Sequence, residues 1–524
     1  MTRSLPGGYM GRLLRVDLSN GRIWDEEIDA ELCRRWVGGV GFGAKYLYEE
    51  VPPGVAWDHP DNRLMFFSGP LGGTRVACSG TYCVVTKGPM TNMAGSSQAN
   101  GYFGAFLKSL GYDGIIVQGR SDRWVYLLVR DGQVELRDAA HLVGTDTWEM
   151  DDRVKQELGV SERQASVAGI GPAGEHLVRF ALVANDKGHV AAHNGMGAVM
   201  GAKRLKAIAL LRGRHKVPVH DPQALEPAAK ALFEHSFEFR GGYLHKWGTG
   251  GVVVDAERGG WLPIKNYLTC VFPEAEKISG QYLRTHFERK NVPCWACRMN
   301  HCGHLTVTEG PYKGYTGEEP EYEGMAAMGS AIYCTDPGAA LYLSDLTDRL
   351  GFDVNEAGWV VGWVMECYEK GILTREQLDG LDMTWGNHEA AAVLLRKIAH
   401  REGVGNLLAE GVMRAAEAVG GDAPNCAIYT KKGASPRGHD HRGRWSELLD
   451  TCFGNTSTIE ATFGGVEPER YGFPPVTDRF DWKQVSTANA QVNGVRQFDD
   501  CLGVCRFCMR EDPEHQIACV NAVT

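Results

Sequence analysis

The sequence predicts an α+β protein, in which a mostly β N-terminal region is followed by a largely helical remainder. From residue 64 to residue 211, short runs rich in β-branched and aromatic residues alternate with glycine turns, which is typical of strands in a sheet. The prolines Pro218 and Pro222 then interrupt the chain, and segments of helical period dominate beyond them. At 524 residues the chain is too long for a single core. We therefore expect a domain boundary near residue 212.

The first predicted element is a β-hairpin close to the N-terminus. Residues 12–18 alternate between polar and apolar side chains, Asn20 and Gly21 form a turn signal, and strand-like sequence resumes at Arg22. The β-rich runs of the N-terminal region follow at residues 64–67, 82–86, 114–117, 124–129, 165–168 and 207–211.

The clearest helix begins after Asp336, which is a good N-cap, and Pro337 suits the first helical position. Apolar residues recur at helical spacing up to Gly351, a typical helix stop; they are Ala339, Leu343, Leu346 and Leu350. Further helices are predicted over residues 355–368, 389–401 and 407–419. The chain becomes rich in loops from about residue 423.

Composition and charge exclude several classes of function. A net charge of −10 argues against a nucleic-acid or anionic-membrane partner, because phosphate binding needs clustered Lys and Arg. No apolar run approaches the length of a membrane span, and the first residues lack the apolar region of a signal peptide. Without an export signal, the 15 cysteines are interpreted as reduced thiols or metal ligands in a cytoplasmic protein. Isolated cysteines such as Cys78 are interpreted as small buried apolar residues.

Three cysteines form the first chemical motif. Cys294, Cys297 and Cys302 are separated by two and then four residues, so their thiols can face one metal centre. With His304 they could form a structural zinc site, or they could supply three ligands of a [4Fe–4S] cluster. A cluster needs a fourth thiolate, and the C-terminal candidates Cys501, Cys505 and Cys508 favour that alternative.

A run of carboxylates follows the cysteines. Glu318, Glu319, Glu321 and Glu323 lie within six positions, and they cannot all ionise in one dry site. We expect Glu318 and Glu319 on a solvated loop, because Pro320 follows them directly. A soft-metal site beside carboxylates indicates redox catalysis.

Two stretches share the pattern D-x-x-G-x-(D/C). The first contains Asp348, Gly351 and Asp353, and the second contains Asp500, Gly503 and Cys505. A carboxylate at such a turn suits a ligand edge rich in N–H donors, such as the edge of a pterin. The alternative is plain C-capping of a helix by glycine.

Glycine-rich turns give further candidates for cofactor binding. Arg75 follows two glycines, and Gln98 and Asn100 lie in the glycine-rich stretch 95–104. Such turns expose backbone N–H groups to anions, and arginine adds a fork for phosphate. Taken singly, each stretch is also explained as an ordinary turn.

Together these stretches resemble the aldehyde:ferredoxin oxidoreductase family, tungsten enzymes with two pterin cofactors. The likeness runs through residues 9–18, 69–75, 111–117 and 197–208, the cysteine motif, residues 321–323 and both D-x-x-G motifs. The resemblance implies a β-rich base domain for the two pterins over residues 1–212, a helical domain over 213–422 and a C-terminal helical and loop domain over 423–524. Relatives continue beyond the last residues of this chain, so the sequence is expected to be truncated at its C-terminus.

Site residues carry over by position. The resemblance implies that Cys294, Cys297, Cys302 and Cys505 hold a [4Fe–4S] cluster and that Asp348, Asp353 and Asp500, at turns made by Gly351 and Gly503, bind the two pterins. Arg75 would lie between pterin and cluster, and Glu323 matches the family's active-site glutamate. In this family four dithiolene sulfurs hold tungsten or molybdenum, and Mg²⁺ can bridge the pterin phosphates.

The sequence departs from the family pattern in several places. The third cluster cysteine comes after four residues instead of three. His189, His193 and Asn194 stand where the family has an arginine, and the family's active-site histidine, expected near Ile459, is missing. His439 stands where relatives often carry tyrosine. We predict that His439 or His441 orients the carbonyl oxygen or shuttles protons; the alternative is that both lie on the surface.

The resemblance implies oxidation of an aldehyde to a carboxylic acid, with Glu323 as general base. Electrons would pass through the cluster to a ferredoxin or an iron–sulfur subunit, in a homo- or hetero-oligomer. One alternative is the tungsten subunit of an aromatic acyl-CoA ring reductase. A cysteine replaces the glutamate there, which counts against this reaction. The other is a non-catalytic zinc or iron–sulfur scaffold.

Overall fold

The computed structural model describes residues 4–454, 467–509 and 512–524. The position near Ile459 lies outside the described residues. Within these ranges the chain forms strands β1 to β15: Arg12–Asp17, Arg22–Glu27, Leu64–Phe67, Tyr82–Lys87, Ala94–Ala99, Gly114–Gln118, Val125–Arg130, Gln133–Asp138, Ala165–Gly169, Val183–Asn185, His189–Ala191, Leu205–Leu211, Glu288–Asn291, Gly303–Thr306 and Thr316–Glu318.

Helices connect these strands and form most of the regular secondary structure after residue 212. Those of the described residues are α1 to α20: Ala30–Trp36, Gly39–Glu50, Phe103–Ser109, Thr147–Leu158, Pro172–Glu175, Met196–Ala202, Pro222–Glu238, Tyr243–Trp247, Val253–Arg258, Gly280–His286, Tyr322–Met325, Pro337–Leu350, Val354–Glu369, His388–His400, Val404–Leu408, Val412–Val419, Trp445–Phe453, Trp482–Val492, Val495–Cys501 and Pro513–Val523. A π-helical turn over Ala326–Ser330 follows α11.

The N-terminal strands form two six-stranded sheets, with the orders β2-β1-β6-β3-β4-β5 and β11-β10-β9-β12-β7-β8. The pairs β1–β6 and β7–β12 are parallel, and the other pairs are antiparallel. Buried side chains of both sheets and of α3 and α6 share one core, which includes Leu14, Phe66 and Leu127. The predicted hairpin at Gly21 is formed by β1 and β2, and β2 is an edge strand of the first sheet.

The predicted helix after Asp336 is α12. The side chain of Asp336 accepts a hydrogen bond from the amide of Ala339, and Gly351 ends the helix with φ at +90°, a conformation that glycine adopts without strain. Helices α12, α13 and α14 bury residues such as Leu343, Trp363 and Leu395 in a second core. The α+β prediction is confirmed by this arrangement, whereas the boundaries of the three domains stay a prediction.

A small third sheet was not expected from the sequence. Strands β13, β14 and β15 pair antiparallel in chain order, and the loop between β13 and β14 carries Cys294, Cys297 and Cys302. Near it, a smaller core joins the loop after β3 to α7, α20 and the turn around Val504. The loop after β3 and the C-terminal segment therefore pack together beside the cysteine loop. Within the described ranges, no helix is long and apolar enough to cross a membrane.

Candidate active site and thiol centre

The main cavity of the protein has a volume of about 280 Å³. Its walls come from the edge strands β5 and β11, the segment after β15, the ends of α12 and α13, and the C-terminal segment 496–507. This volume is at the lower end of the range of ligand-binding pockets. Side chains from all parts of the chain therefore converge on one space.

One side of the cavity is acidic. Burial, and then the charges of neighbouring carboxylates, raise the pKa of both Glu318 and Asp348 well above the ordinary values. Among the described residues, Glu318 Oε2 is buried and has no hydrogen-bond partner. Asp345 lies beside them but is satisfied by Arg349 Nε at 2.6 Å and by the amide of Glu318 at 3.0 Å. A ligand with N–H donors or a cation would stabilise this acidic wall (Glu318, Asp345 and Asp348).

The first D-x-x-G motif lies at the junction of α12 and α13. Asp348 and Asp353 both line the cavity, and Asp353 also caps α13 by accepting a hydrogen bond from the amide of Asn355 at 2.9 Å. Gly351 itself does not line the cavity. It packs against another turn, because a Cβ on Gly351 would lie 3.1 Å from the amide nitrogen of Gly171. Gly351 therefore makes the turn, as the C-capping alternative holds, while the two carboxylates face the cavity.

The second motif has the same division of roles. Asp500 lines the cavity and pairs with Arg506, whose Nη2 is 2.6 Å away. Gly503 does not line it; its φ is +77°, and a Cβ would lie 2.6 Å from the amide nitrogen of Gly69. The motif is thus held against the N-terminal glycine turns, where a Cβ on Gly39 would lie 2.0 Å from the carbonyl oxygen of Asp500.

This close approach predicts that Gly39→Ala destabilises the protein more than Gly21→Ala. Both glycines have positive φ, so alanine costs about 1–2 kcal/mol at either position. At Gly21, however, no atom lies within 4 Å of the added Cβ. We expect thermal unfolding to show a clearly lower Tm for Gly39→Ala than for the control. Equal Tm values would mean that the turn at Asp500 moves away without cost.

The polar side of the cavity is formed by Gln98 and Asn100. Gln98 lies on β5, and its Nε2 is buried without a hydrogen-bond partner among the described residues. Asn100 Oδ1 accepts a hydrogen bond from Thr81 Oγ1 at 2.9 Å, and its carbonyl accepts one from Asn185 at 2.9 Å. A donor and a fixed amide therefore line the same cavity as the acidic wall.

Glu323 lies in the first turn of α11 and lines the cavity. Its Oε1 forms an ion pair with Arg437 Nη2, and each side chain is 15% exposed. Arg437 also lines the cavity. The sequence contains no spacing signal for this pair, because 114 residues separate its members.

The solvated loop predicted for Glu318 and Glu319 is not found. Glu319 is only 7% exposed, and its two oxygens pair with Arg284 and Arg289. Its neighbour Glu318 ends β15 on the cavity wall. Pairing with β14 places both residues inside the protein, which the polar sequence did not indicate.

The structure does not place His439 and His441 on the cavity wall. His439 Nδ1 lies 2.6 Å from Glu447 Oε1, and its ring packs against Trp261 and Tyr322. His441 Nδ1 lies 3.0 Å from the hydroxyl of Tyr267. Burial lowers the pKa of His439 to about 3 despite the charge of Glu447.

Each of these two histidines is 4% exposed. The surface alternative is therefore not found, and a role of either histidine in orienting the carbonyl oxygen or shuttling protons stays a prediction. The histidines belong to a buried polar network behind Tyr322, whose hydroxyl donates to the carbonyl of Gly438.

Arg75 also lies away from its predicted position. Its side chain is 78% exposed and lies 3.5 Å from Glu226 on α7. An arginine at the end of an exposed turn gains hydration there, and a carboxylate attracts it outwards. Two histidines that the sequence analysis did not assign line the cavity instead, namely His189 and His193. His193 Nδ1 is 3.0 Å from Asp353 Oδ2.

Four thiols converge beside the cavity. Cys294, Cys297 and Cys302 lie on the β13–β14 loop, and Cys505 follows α19; we call them the thiol centre. Hydrogen bonds with Cys297 and then Cys302 hold the pKa of Cys294 well below its ordinary value. The hydrogen bond with Cys294 and burial raise the pKa of Cys297, and the charge of nearby Cys505 adds to this effect. Cys302 and Cys505 also line the main cavity.

The histidine expected in a zinc site is not next to the thiols. His304 lies on β14, and its ring packs against Trp148 at 4.9 Å between centroids. The nitrogens near the thiols belong to other residues: His189 Nε2 is 3.6 Å from Cys294 Sγ, and His301 Nε2 is 3.4 Å from Cys302 Sγ. The zinc set with His304 is therefore not assembled, whereas the four cysteines are.

A disulfide joins Cys78 and Cys508, which corrects the expectation that Cys78 is an isolated apolar residue and that all thiols are reduced. Both sulfurs line a small cavity of about 10 Å³ shared with Cys294, Cys297 and Cys505. The carbonyl of Cys78 accepts a hydrogen bond from the amide of Cys505 at 3.1 Å. This bond fixes the C-terminal turn against the cysteine loop.

Comparison with known proteins gives the family. The model of the N-terminal domain of aldehyde ferredoxin oxidoreductase matches residues 13–212, and the model of its domains 2 and 3 matches residues 224–524. The chain belongs to the aldehyde ferredoxin oxidoreductase family. It is an oxidoreductase, and the resemblance found in its motifs is confirmed.

Several curated relatives are similar over most of the chain. The tungsten-containing aldehyde ferredoxin oxidoreductase of Pyrococcus furiosus is 38% identical over 477 residues, which cover 90% of this chain and 77% of that protein. The WOR-like subunit of an aliphatic sulfonate oxidoreductase from the same organism is 32% identical over 81% of this chain and 70% of its own.

A solved structure has the same fold. The active-site complex BamBC of benzoyl coenzyme A reductase, solved with 1,5-dienoyl-CoA, superposes with a TM-score of 0.85 at 25% identity. The match covers 99% of this chain and 86% of that chain. The α+β architecture of the family is therefore shared by members that act on different substrates.

Proposed function

We propose that this oxidoreductase carries a bis-pterin tungsten cofactor and a [4Fe–4S] cluster, and that it oxidises an aldehyde to a carboxylic acid. One observation carries the proposal: Glu323, the carboxylates of both D-x-x-G motifs and two members of the thiol centre line the same cavity. A general base, a cofactor site and an electron exit would thus lie next to each other. The relatives that are named as tungsten aldehyde ferredoxin oxidoreductases support this reading.

The residues of the cavity fit the pterin part of this cofactor. Asp348, Asp353 and Asp500 offer carboxylates to edges rich in N–H donors. Glu318 Oε2 and Gln98 Nε2, which lack partners among the described residues, add an acceptor and a donor. A ligand of this chemistry would satisfy groups whose burial is otherwise costly. The metal could be tungsten or molybdenum, and the carboxylates would also accept Mg²⁺ at the pterin phosphates.

The thiol centre fits a [4Fe–4S] cluster, which takes four cysteine thiolates. Cys294, Cys297 and Cys302 come from one loop and Cys505 from the opposite end of the chain. The extra residue before Cys302 is accommodated by the loop, since this cysteine still reaches Cys294. A tungsten centre bound in the cavity would supply two-electron oxidation of the substrate, and a cluster held by the thiol centre would supply one-electron transfer to the acceptor.

Glu323 is assigned the role of general base. Its Oε1 accepts from Arg437, so we assign proton uptake from the attacking water to Oε2. Arg437 holds the carboxylate in one orientation. With both side chains only 15% exposed, bulk water is largely excluded from the reacting groups, which strengthens their electrostatic interactions.

An aromatic acyl-CoA ring reductase is the second candidate, since a benzoyl coenzyme A reductase complex shares the fold. That reaction is expected to require a cysteine in place of Glu323. The cysteines on the wall of this cavity are Cys302 and Cys505, and both belong to the thiol centre. The residue paired with Arg437 is a glutamate, Glu323. This favours aldehyde oxidation over ring reduction.

We infer that the electron acceptor is a ferredoxin or an iron–sulfur subunit of a larger complex. Apart from Cys78 and Cys508, the cysteines of the described residues form no disulfide, which suits a reducing compartment such as the cytoplasm. A homo-oligomer and a hetero-oligomer are both compatible with this acceptor.

Elemental analysis and pterin extraction from anaerobically purified protein test the proposal. We expect tungsten or molybdenum, two pterins per metal, four irons per chain, and reduction of a viologen dye by aldehydes. Asp348→Ala should lower the pterin and tungsten content while the chain stays folded. Zinc without pterin would establish the scaffold alternative, and ring reduction without aldehyde oxidation would establish the second candidate.

A further inference from the structure

One side chain contacts both the cavity and the thiol centre. His189 is the first residue of β11 and is 8% exposed. It lines the main cavity, and its Nε2 lies 3.6 Å from Cys294 Sγ. The side chain that was expected between these two regions, Arg75, is exposed elsewhere.

The surroundings hold the His189 ring in this place. A Cβ on Gly101, whose φ is +93°, would lie 2.9 Å from His189 Cδ2, so the backbone passes directly against the ring. On the strand side, His189 pairs in register with Asn185 of β10. The imidazole therefore has little freedom to turn away from Cys294.

The Nε2 atom of His189 lies within hydrogen-bond distance of the Cys294 sulfur, which would be a thiolate when it binds the cluster. An imidazole with a proton on Nε2, whether neutral or charged, donates a hydrogen bond in this geometry. The nearby charges of Asp186 and Glu321 also favour a donor at this position.

We propose that His189 is a positioning residue that donates a hydrogen bond to the Cys294 ligand of the cluster and links the cofactor cavity to the cluster. This inference rests on the proposed function, since it requires the cluster. Reduction adds negative charge to the cluster, and donors to its sulfurs stabilise the reduced form. His189 thus makes the cluster a better acceptor for electrons that leave the cavity.

The test measures the midpoint potential of the cluster in anaerobically purified protein, by EPR-monitored titration with chemical reductants and without aldehyde. The variants are His189→Leu, which removes the donor, and His189→Gln, which keeps an N–H donor. His304→Phe is the control, because this histidine belongs to the same small sheet but packs on Trp148. Iron and sulfide are quantified in every sample.

We expect His189→Leu to keep its iron and to show a more negative midpoint potential. His189→Gln should lie between the wild type and His189→Leu, and His304→Phe should equal the wild type. An unchanged potential in His189→Leu overturns the inference, and loss of iron from that variant overturns it as well, since His189 would then hold the cluster itself. If the wild-type protein contains no iron, both the proposed function and this inference are overturned. If the wild type contains iron and His189→Leu has the same midpoint potential, only this inference is overturned.

Discussion

Glu323→Gln is expected to lower the rate of aldehyde oxidation by about 10²–10⁴-fold, the usual contribution of a general base. The amide keeps the size of the side chain and can still accept a hydrogen bond from Arg437 through its oxygen. It cannot take up a proton at the second position. Steady-state rates at saturating aldehyde, normalised to tungsten content, measure the effect.

Glu410→Gln is a matched control for this substitution. Glu410 is also paired with arginines, Arg179 and Arg401, but it lies outside the cavity. We expect Glu410→Gln to turn over at the wild-type rate. A fully metallated Glu323→Gln protein that turns over like the wild type would remove Glu323 from the mechanism and leave Arg437 as an anion-binding residue alone.

The chemistry of the site could be read from the sequence where it depends on local spacing. Two and four residues between cysteines place their thiols on one loop, and a glycine three residues after an aspartate turns the chain so that the carboxylate is presented. Asp348 and Asp500 follow this rule, and both reach the cavity. Spacing could not tell that Gly351 and Gly503 only shape the turns.

The residues that sequence reasoning missed come from contacts between distant segments. His189 is 105 residues away from Cys294, and Arg437 is 114 residues away from Glu323. No periodicity or motif connects such pairs, because tertiary packing alone brings them together. The third sheet was missed for a different reason: the strands Glu288–Asn291 and Gly303–Thr306 are short and polar, without a clear apolar alternation.

Two predicted site residues, His439 and Arg75, lie beside carboxylates of this chain and not on the cavity wall. His439 was assigned to the active site because of its place in the sequence, but Glu447, eight residues later, accepts its ring N–H. Arg75 was placed near the cluster, but Glu226 lies next to it on the surface. In both cases the side chain interacts with a carboxylate outside the cavity: His439 with Glu447, and Arg75 with Glu226.

Cys505→Ser is expected to abolish the cluster, seen as loss of its visible absorption and of the EPR signal of the reduced state. A serine oxygen is a poor ligand for the soft iron–sulfur centre. The C-terminal neighbours cannot replace Cys505: Cys508 is bonded to Cys78, and Cys501 points to the carbonyl of Gln497 at 3.2 Å. Iron quantified per folded chain measures the loss.

Cys501→Ser separates this ligand assignment from a general effect of losing a buried thiol. Both cysteines are buried and only four residues apart, but burial raises the pKa of Cys501 to about 12, so it stays a neutral thiol at physiological pH. We expect Cys501→Ser to keep four irons. If Cys505→Ser keeps four irons and Cys501→Ser loses iron, Cys501 is the fourth cluster ligand and Cys505 is not. A zinc site built on the β13–β14 loop and its neighbouring histidines would survive both substitutions, because neither removes one of its ligands; retention of zinc in Cys505→Ser would therefore refute the cluster.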